Sequence, residues 1–121
     1  MANILAVDDS PAMRRMVASV LKQAGHEVTS AEDGVEAAKI ANTASFELVI
    51  TDLHMPNMNG IELIRELRTR APYRHTPLLM LTTESSTELK QEGRNAGATG
   101  WIVKPFDPGS LVAAVSRVLG G

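Results

Sequence analysis

The run Ile4-Leu5-Ala6-Val7-Asp8-Asp9-Ser10-Pro11 decides how this chain is read. Four apolar residues end on two adjacent acids, and a hydroxyl residue followed by proline then opens a segment of helical period. A short run that is apolar at both parities marks a strand covered on both faces. Ser10 offers the side-chain oxygen that an N-cap needs. Pro11 suits the first helical position, where the N–H it lacks would have no partner. Met13, Met16, Val17, Val20, Leu21 and Ala24 then form one stripe, which Gly25 stops. The opening of the chain reads as strand, acidic tip, helix.

The same unit recurs. Further apolar runs lie at Val28–Ala31, Leu48–Thr51, Leu78–Leu81 and Thr99–Val103. The third and fourth runs are apolar on both parities like the first. The second is mixed, with Glu27 and Thr29, and fits a sheet edge. Between the runs come an alanine-rich helical segment at Asp33–Asn42 and a stripe of Ile61, Leu63, Ile64 and Leu67 that Pro72 breaks. A last stripe of Leu111, Val112, Val115, Val118 and Leu119 follows the fifth run. Ser86–Asn95 has good helix formers but only Leu89 and the following Ala96 as apolar anchors. It reads as a loosely held helix and the easiest element to move. The order βαβαβαβαβα with right-handed crossovers predicts an α/β fold: a doubly wound, five-stranded parallel sheet with five helices. Ligands of such sheets sit beyond the carboxyl ends of the strands.

Bulk composition narrows the function. At 121 residues, with 44% apolar and 21% charged residues and a formal net charge of −2, the chain is expected to form one domain over residues 1–121. There is no basic excess for nucleic-acid binding. The absence of cysteine removes disulfides and thiol chemistry and suits a reducing compartment. The N-terminal stretch shows neither a basic leader nor a membrane span, so no membrane insertion and a cytoplasmic location are expected.

In the expected topology four charged side chains converge. Asp8 and Asp9 close the first run, Asp52 closes the third, and Lys104 follows the fifth. An acid near a helix N-terminus gains about 0.3–1 kcal/mol from the dipole, which explains one of Asp8 and Asp9 better than both. Three crowded carboxylates repel one another unless a cation joins them, so the set asks for a hard divalent metal such as Mg²⁺. A lone Asp after a strand is often only a turn former. Beside two further acids, Asp52 becomes the candidate carboxylate nucleophile, of the kind that forms an aspartyl phosphate. The Thr82 hydroxyl either begins a turn or donates to a phosphoryl oxygen. Lys104, fixed between an apolar strand and Pro105, offers a positive charge to the same oxygens. The Lys104–Pro105 bond is a candidate for the cis isomer, which only about 5–6% of X–Pro bonds adopt. Trp101 either fills core or packs variably against the fourth helix. His26, His54 and His75 are scattered and make no zinc site. No glycine-rich phosphate loop follows the first strand, which speaks against nucleotide and flavin binding.

Taken together, Val7-Asp8-Asp9-Ser10, Thr51-Asp52-Leu53-His54-Met55-Pro56-Asn57-Met58-Asn59-Gly60, Leu81-Thr82 and Val103-Lys104-Pro105-Phe106 resemble the receiver domains of two-component response regulators. The likeness runs from Ile4 to Leu119 and is strongest toward stand-alone chemotaxis regulators of the CheY type. It implies a flavodoxin-like sheet with strand order 2-1-3-4-5. It implies Asp52 as phosphoacceptor, and Asp8, Asp9, Asp52 and the His54 backbone carbonyl as Mg²⁺ ligands. Thr82 and Lys104 become the phosphate-contacting switch pair, with Trp101 where many members carry tyrosine or phenylalanine. His54 and Glu84 fall at positions that tune dephosphorylation, and Pro105 shapes the backbone after Lys104. Such a protein takes phosphate from a sensor histidine kinase and is an enzyme only toward itself. The resemblance implies that it signals by binding another protein, with a flagellar motor switch protein the expected partner and a face carrying Lys90, Arg94, Trp101 and the C-terminal helix the expected surface. A phosphatase or a histidine phosphotransfer protein are further partners. The alternatives are a phosphorelay intermediate, a receiver that works unphosphorylated, and a phosphohydrolase. The last usually needs a second acid two residues beyond the nucleophile, where this chain has His54.

Overall fold

The computed structural model describes residues 2–120. Strands β1 (Asn3–Val7), β2 (Glu27–Ala31), β3 (Leu48–Thr51), β4 (Leu78–Thr82) and β5 (Gly100–Val103) alternate with helices α1 (Pro11–Gln23), α2 (Gly34–Thr43), α3 (Gly60–Arg68), α4 (Thr87–Ala96) and α5 (Pro108–Val118). The strands pair in parallel in the order β2-β1-β3-β4-β5, with the polar β2 at an edge as its mixed sequence foretold.

Alternation along the strands divides the core. Leu5, Val7, Val49, Leu78 and Met80 point to the face covered by α2, α3 and α4, with Ala37, Ile61, Ile64 and Leu67 packed on them. Ile4, Ala6, Leu48, Ile50, Leu79 and Leu81 point to the other face, under Val17 and Leu21 of α1 and Leu111 and Val115 of α5. A strand buried on both faces must be apolar at both parities, which is why β1, β3 and β4 read as unbroken apolar runs. Each fully buried aliphatic side chain contributes about 1.5–3 kcal/mol relative to exposure.

Each helix starts on a side-chain cap that fixes where the preceding loop ends. Ser10, Asp33, Asn59, Ser86 and Asp107 accept from the backbone N–H groups of Met13, Glu36, Glu62, Leu89 and Ser110. At α3 the Glu62 carboxylate also returns to the Asn59 N–H, completing a capping box. Boundaries differ from the sequence reading where a residue does capping or side-chain work. Asp33 lies outside α2 as its cap. Thr99 lies outside β5, and its hydroxyl accepts from the Leu78 N–H at 3.0 Å. Pro72 sits in a 3-10 turn over Ala71–Tyr73 that periodicity did not signal. In α4 the buried residues are Gly93 and Ala96, with Leu89 half-buried, so a glycine is one of its anchors. Among the described residues no helix is long and apolar enough to cross a membrane.

The end of the sheet opposite the acidic tips is tied by Arg68. Its guanidinium donates to the carbonyls of Gly97 (2.7 Å), Tyr73 (2.7 Å) and Thr76 (2.7 Å), joining α3 to the 3-10 turn and to the loop before β5. Arg68→Met keeps the aliphatic stem and leaves these carbonyls without their donor. Hydrogen bonds to a charged group are worth about 1.5–3 kcal/mol, so a loss of stability of about that size is expected in urea denaturation.

Candidate functional site

Parallel register brings the strand tips into one crevice. Val7 pairs with both Ala31 and Thr51, and Thr82 pairs with Val103. The ladder runs one residue beyond β1, β3 and β5. The Asp8 N–H reaches the Ala31 carbonyl (3.1 Å), Asp52 reaches Val7 (2.9 Å), and Lys104 reaches Thr82 (2.8 Å). The backbone therefore sets the positions of Asp8, Asp52 and Lys104 before their side chains interact.

Asp8, Asp9 and Asp52 each offer a carboxylate oxygen, and these oxygens lie within 4.8 Å of one another. Asp8 is buried, Asp52 half-buried and Asp9 exposed. The Lys104 ammonium enters the cluster, 2.9 Å from Asp8 Oδ2 and 3.5 Å from Asp52 Oδ2. The peptide bond that follows, Lys104–Pro105, is cis. Hard carboxylate oxygens at this spacing, with one acid open to solvent, fit a small oxygen-seeking divalent cation.

Asp8 is bonded at every polar atom. Its Oδ1 accepts from the Ser10 N–H at 2.9 Å, its Oδ2 takes Lys104, and its backbone carbonyl accepts from the Arg14 guanidinium at 2.6 Å. Asp52 is less completely held, with Oδ1 accepting from the Leu53 N–H at 2.8 Å. Behind it, the chain must pass close to α3. A Cβ on Gly60 would collide with the Asp52 carbonyl oxygen and stand 3.0 Å from Met80 Sδ, so only glycine fits there. The Gly60 N–H donates to the Leu53 carbonyl at 2.9 Å and ties the loop from its other end. Asn57, at φ 70°, closes the turn and donates to Asp33 at 3.0 Å, clasping the loop to the start of α2.

The remaining predicted residues ring this cluster. Thr82 is buried, and its hydroxyl accepts from the Glu84 N–H at 3.3 Å. His54 Nε2 lies 2.6 Å from Glu84 Oε2 across the mouth of the crevice, an exposed pair worth little to stability. Trp101 is half-buried, and its Nε1 donates to the Glu84 carbonyl at 2.8 Å. Lys90 and Arg94 of α4 line a surface depression with Trp101, away from the acids. Three residues of this neighbourhood receive no role from the sequence, although Asn57 and Gly60 lie within the motif after Asp52. Arg14 stands on α1, and helical spacing does not reveal that its side chain folds back onto the Asp8 carbonyl. Gly60 and Asn57 are ordinary turn residues until the backbone approach they permit is seen.

Burial drives the Asp52 carboxyl above the ordinary range of an aspartic acid. The Lys104 charge opposes that rise, the Asp8 charge adds to it, and the Leu53 N–H and the Thr82 hydroxyl favour the ionised form. Desolvation wins, so an ionised Asp52 opposes folding when no added cation is bound.

A family profile described as the response regulator receiver domain matches residues 4–116. The chain is 40% identical over 119 residues to the chemotaxis protein CheY1 of Helicobacter pylori, covering 97% of this chain and 96% of that one. Among solved structures, the chemotaxis response regulator CheY4 of Vibrio cholerae superposes with a TM-score of 0.93 at 51% identity, covering 98% of each chain. The receiver domain of the sensor histidine kinase PA1611 from Pseudomonas aeruginosa, solved with a magnesium ion coordinated in its active site cleft, superposes with a TM-score of 0.92. It is 26% identical and covers 99% of this chain and 98% of that one.

The raised Asp52 carboxyl has a pH signature. The folded protein holds this proton more tightly than the unfolded chain, so the penalty is absent below the ordinary value of 3.8 and complete above the raised folded value. Asp52→Asn is therefore expected to melt a few degrees higher than the wild type at neutral pH in chelator. That advantage shrinks as the pH falls through the raised value and is gone below 3.8. Thermal melts across that range check it; a variant less stable at neutral pH would reverse the sign.

Proposed function

The chain belongs to the family of response regulator receiver domains, and from that premise we propose a phosphorylation-operated switch of the chemotaxis type, with Asp52 as the phosphoacceptor. The observation that carries this reading is the cluster of Asp8, Asp9 and Asp52 with the Lys104 ammonium 3.5 Å from Asp52. A phosphohistidine of a sensor kinase is the donor. An Asp52 carboxylate oxygen attacks phosphorus, the new P–O bond forms as the P–N bond breaks, and the electron pair leaves with the imidazole. Asp8, Asp9, Asp52 and the His54 carbonyl would hold Mg²⁺, whose charge would offset that of the phosphoryl oxygens.

The remaining steps fall to the chain's own residues. Lys104 gives up contact with Asp8 to meet a phosphoryl oxygen, and the Thr82 hydroxyl turns from the Glu84 N–H to donate to another. Moving a two-state population from roughly 1:99 to 99:1 takes about 5.5 kcal/mol. A few charge-assisted hydrogen bonds of about 1.5–3 kcal/mol each supply it. His54 and Glu84, paired at the crevice mouth, govern the access of attacking water and so the lifetime of the phosphoryl group.

The signal leaves through the face of Lys90, Arg94, Trp101 and α5, with a flagellar motor switch protein in the cytoplasm as the partner. Supporting this are the chemotaxis proteins among the relatives and the direct bond from Trp101 to Glu84, two residues beyond Thr82.

Incubation with acetyl phosphate and Mg²⁺ followed by intact mass measurement tests the assignment. One phosphoryl adduct is expected in the wild type, and none in Asp52→Asn or with excess chelator. An adduct of equal yield in Asp52→Asn would remove Asp52 from the role.

A further inference from the structure

Helix α4 has a thin inward face: Leu89, Gly93 and Ala96. What it packs against at its centre is the Trp101 ring. A Cβ on Gly93 would stand 2.7 Å from Trp101 Cζ3 and 3.2 Å from Cε3, inside van der Waals contact. The six-membered edge of the indole thus occupies the space a side chain at position 93 would fill. The backbone does not ask for glycine here. Gly93 is helical and is not among the glycines of positive φ, which are Gly25, Gly97 and Gly120. Glycine in a helix interior weakens the helix, so its presence is explained by the ring rather than by conformation.

The other end of the indole is also fixed. Trp101 Nε1 donates to the Glu84 carbonyl at 2.8 Å. Glu84 is a junction: its N–H reaches the Thr82 hydroxyl at 3.3 Å and its carboxylate lies 2.6 Å from His54. One rigid ring therefore spans from the middle of α4 to the residue that touches both Thr82 and the loop after Asp52.

We propose that Gly93 is the socket that seats Trp101 on the Glu84 carbonyl, so that the position of α4 is set by the indole rather than by the helix's own apolar stripe. Gly93 is a positioning residue, acting through Trp101 and touching none of the acids. The pair is matched in size: a methyl at 93 expels the ring and breaks its bond to Glu84, whereas a smaller ring at 101 tolerates the methyl. The consequence for signalling rests on the switch reading above; the seating of the ring does not.

Trp101 is the sole tryptophan, so its fluorescence reports the seat directly. Gly93→Ala is expected to shift the emission to longer wavelength and to increase quenching by acrylamide, while acetyl phosphate still phosphorylates Asp52 at the wild-type rate. Melting temperatures keep the test decisive if the variant is weakly folded. Gly93→Ala should lower Tm in the wild type but raise it in the Trp101→Phe background, where the added methyl only favours the helix. Unchanged emission and quenching, or equal Tm shifts in both backgrounds, would overturn the proposal. Neither readout depends on phosphorylation, so a failure of the Asp52 assignment would show separately as a missing adduct with the fluorescence shift intact.

Discussion

Carboxylates at the tips of β1 and β3 repel one another, and the Lys104 ammonium between Asp8 and Asp52 offsets that repulsion. Much else follows from this constraint. A buried charge is tolerated only when paired and fully hydrogen-bonded. Asp8, the most buried acid, meets that condition through Ser10, Lys104, Arg14 and the ladder bond to Ala31. Asp52 meets it only in part, and its carboxyl is raised accordingly. The crevice stores unfavourable electrostatics in the one acid whose chemistry is proposed to change. A divalent cation or a phosphoryl group would relieve or redirect that charge.

The loops around the acids carry this local balance outward. Gly60 and Asn57 hold the segment after Asp52 against α3 and α2, so movement there is restricted. On the other side, Thr82, Glu84 and Trp101 form a bonded series ending at Gly93 in α4. A change at the hydroxyl of Thr82 thus meets a backbone amide, then a carbonyl, then a ring, with no solvent gap between them. Such contiguity supplies a physical route for coupling; that the route is two-state is part of the proposal.

Much of this was legible in the chain because apolar runs and charges alternate sharply. A run as short as Leu48–Thr51, apolar from Leu48 to Ile50 and set between helical stripes, fits a covered parallel strand, and the residue after it then emerges at the sheet's carboxyl edge. That logic located Asp8, Asp52 and Lys104 together, and it made the mixed β2 an edge. What was hidden depends on close backbone approach between distant segments. Gly93 carries no signal in the sequence, and its close approach to the Trp101 indole exists only in the folded structure. The fold-back of Arg14 onto the Asp8 carbonyl leaves no trace in helical spacing, and the 3-10 turn at Pro72 rests on local backbone bonds that apolar periodicity does not signal. Helix α4 reads as poorly anchored because part of what it packs against, beside Leu89 and Ala96, is a ring on another element.

Lys104 stands in the acid cluster as a counter-charge where a divalent cation also fits. Calorimetric titration of Mg²⁺ into the wild type and Lys104→Met tests it most directly. Removing the ammonium leaves the carboxylates unneutralised, so the variant should bind Mg²⁺ more tightly than the wild type, and Asp9→Asn in either background should weaken binding. Equal or weaker binding by Lys104→Met in a folded protein would contradict the role of Lys104, and no binding by either protein would contradict the metal site itself.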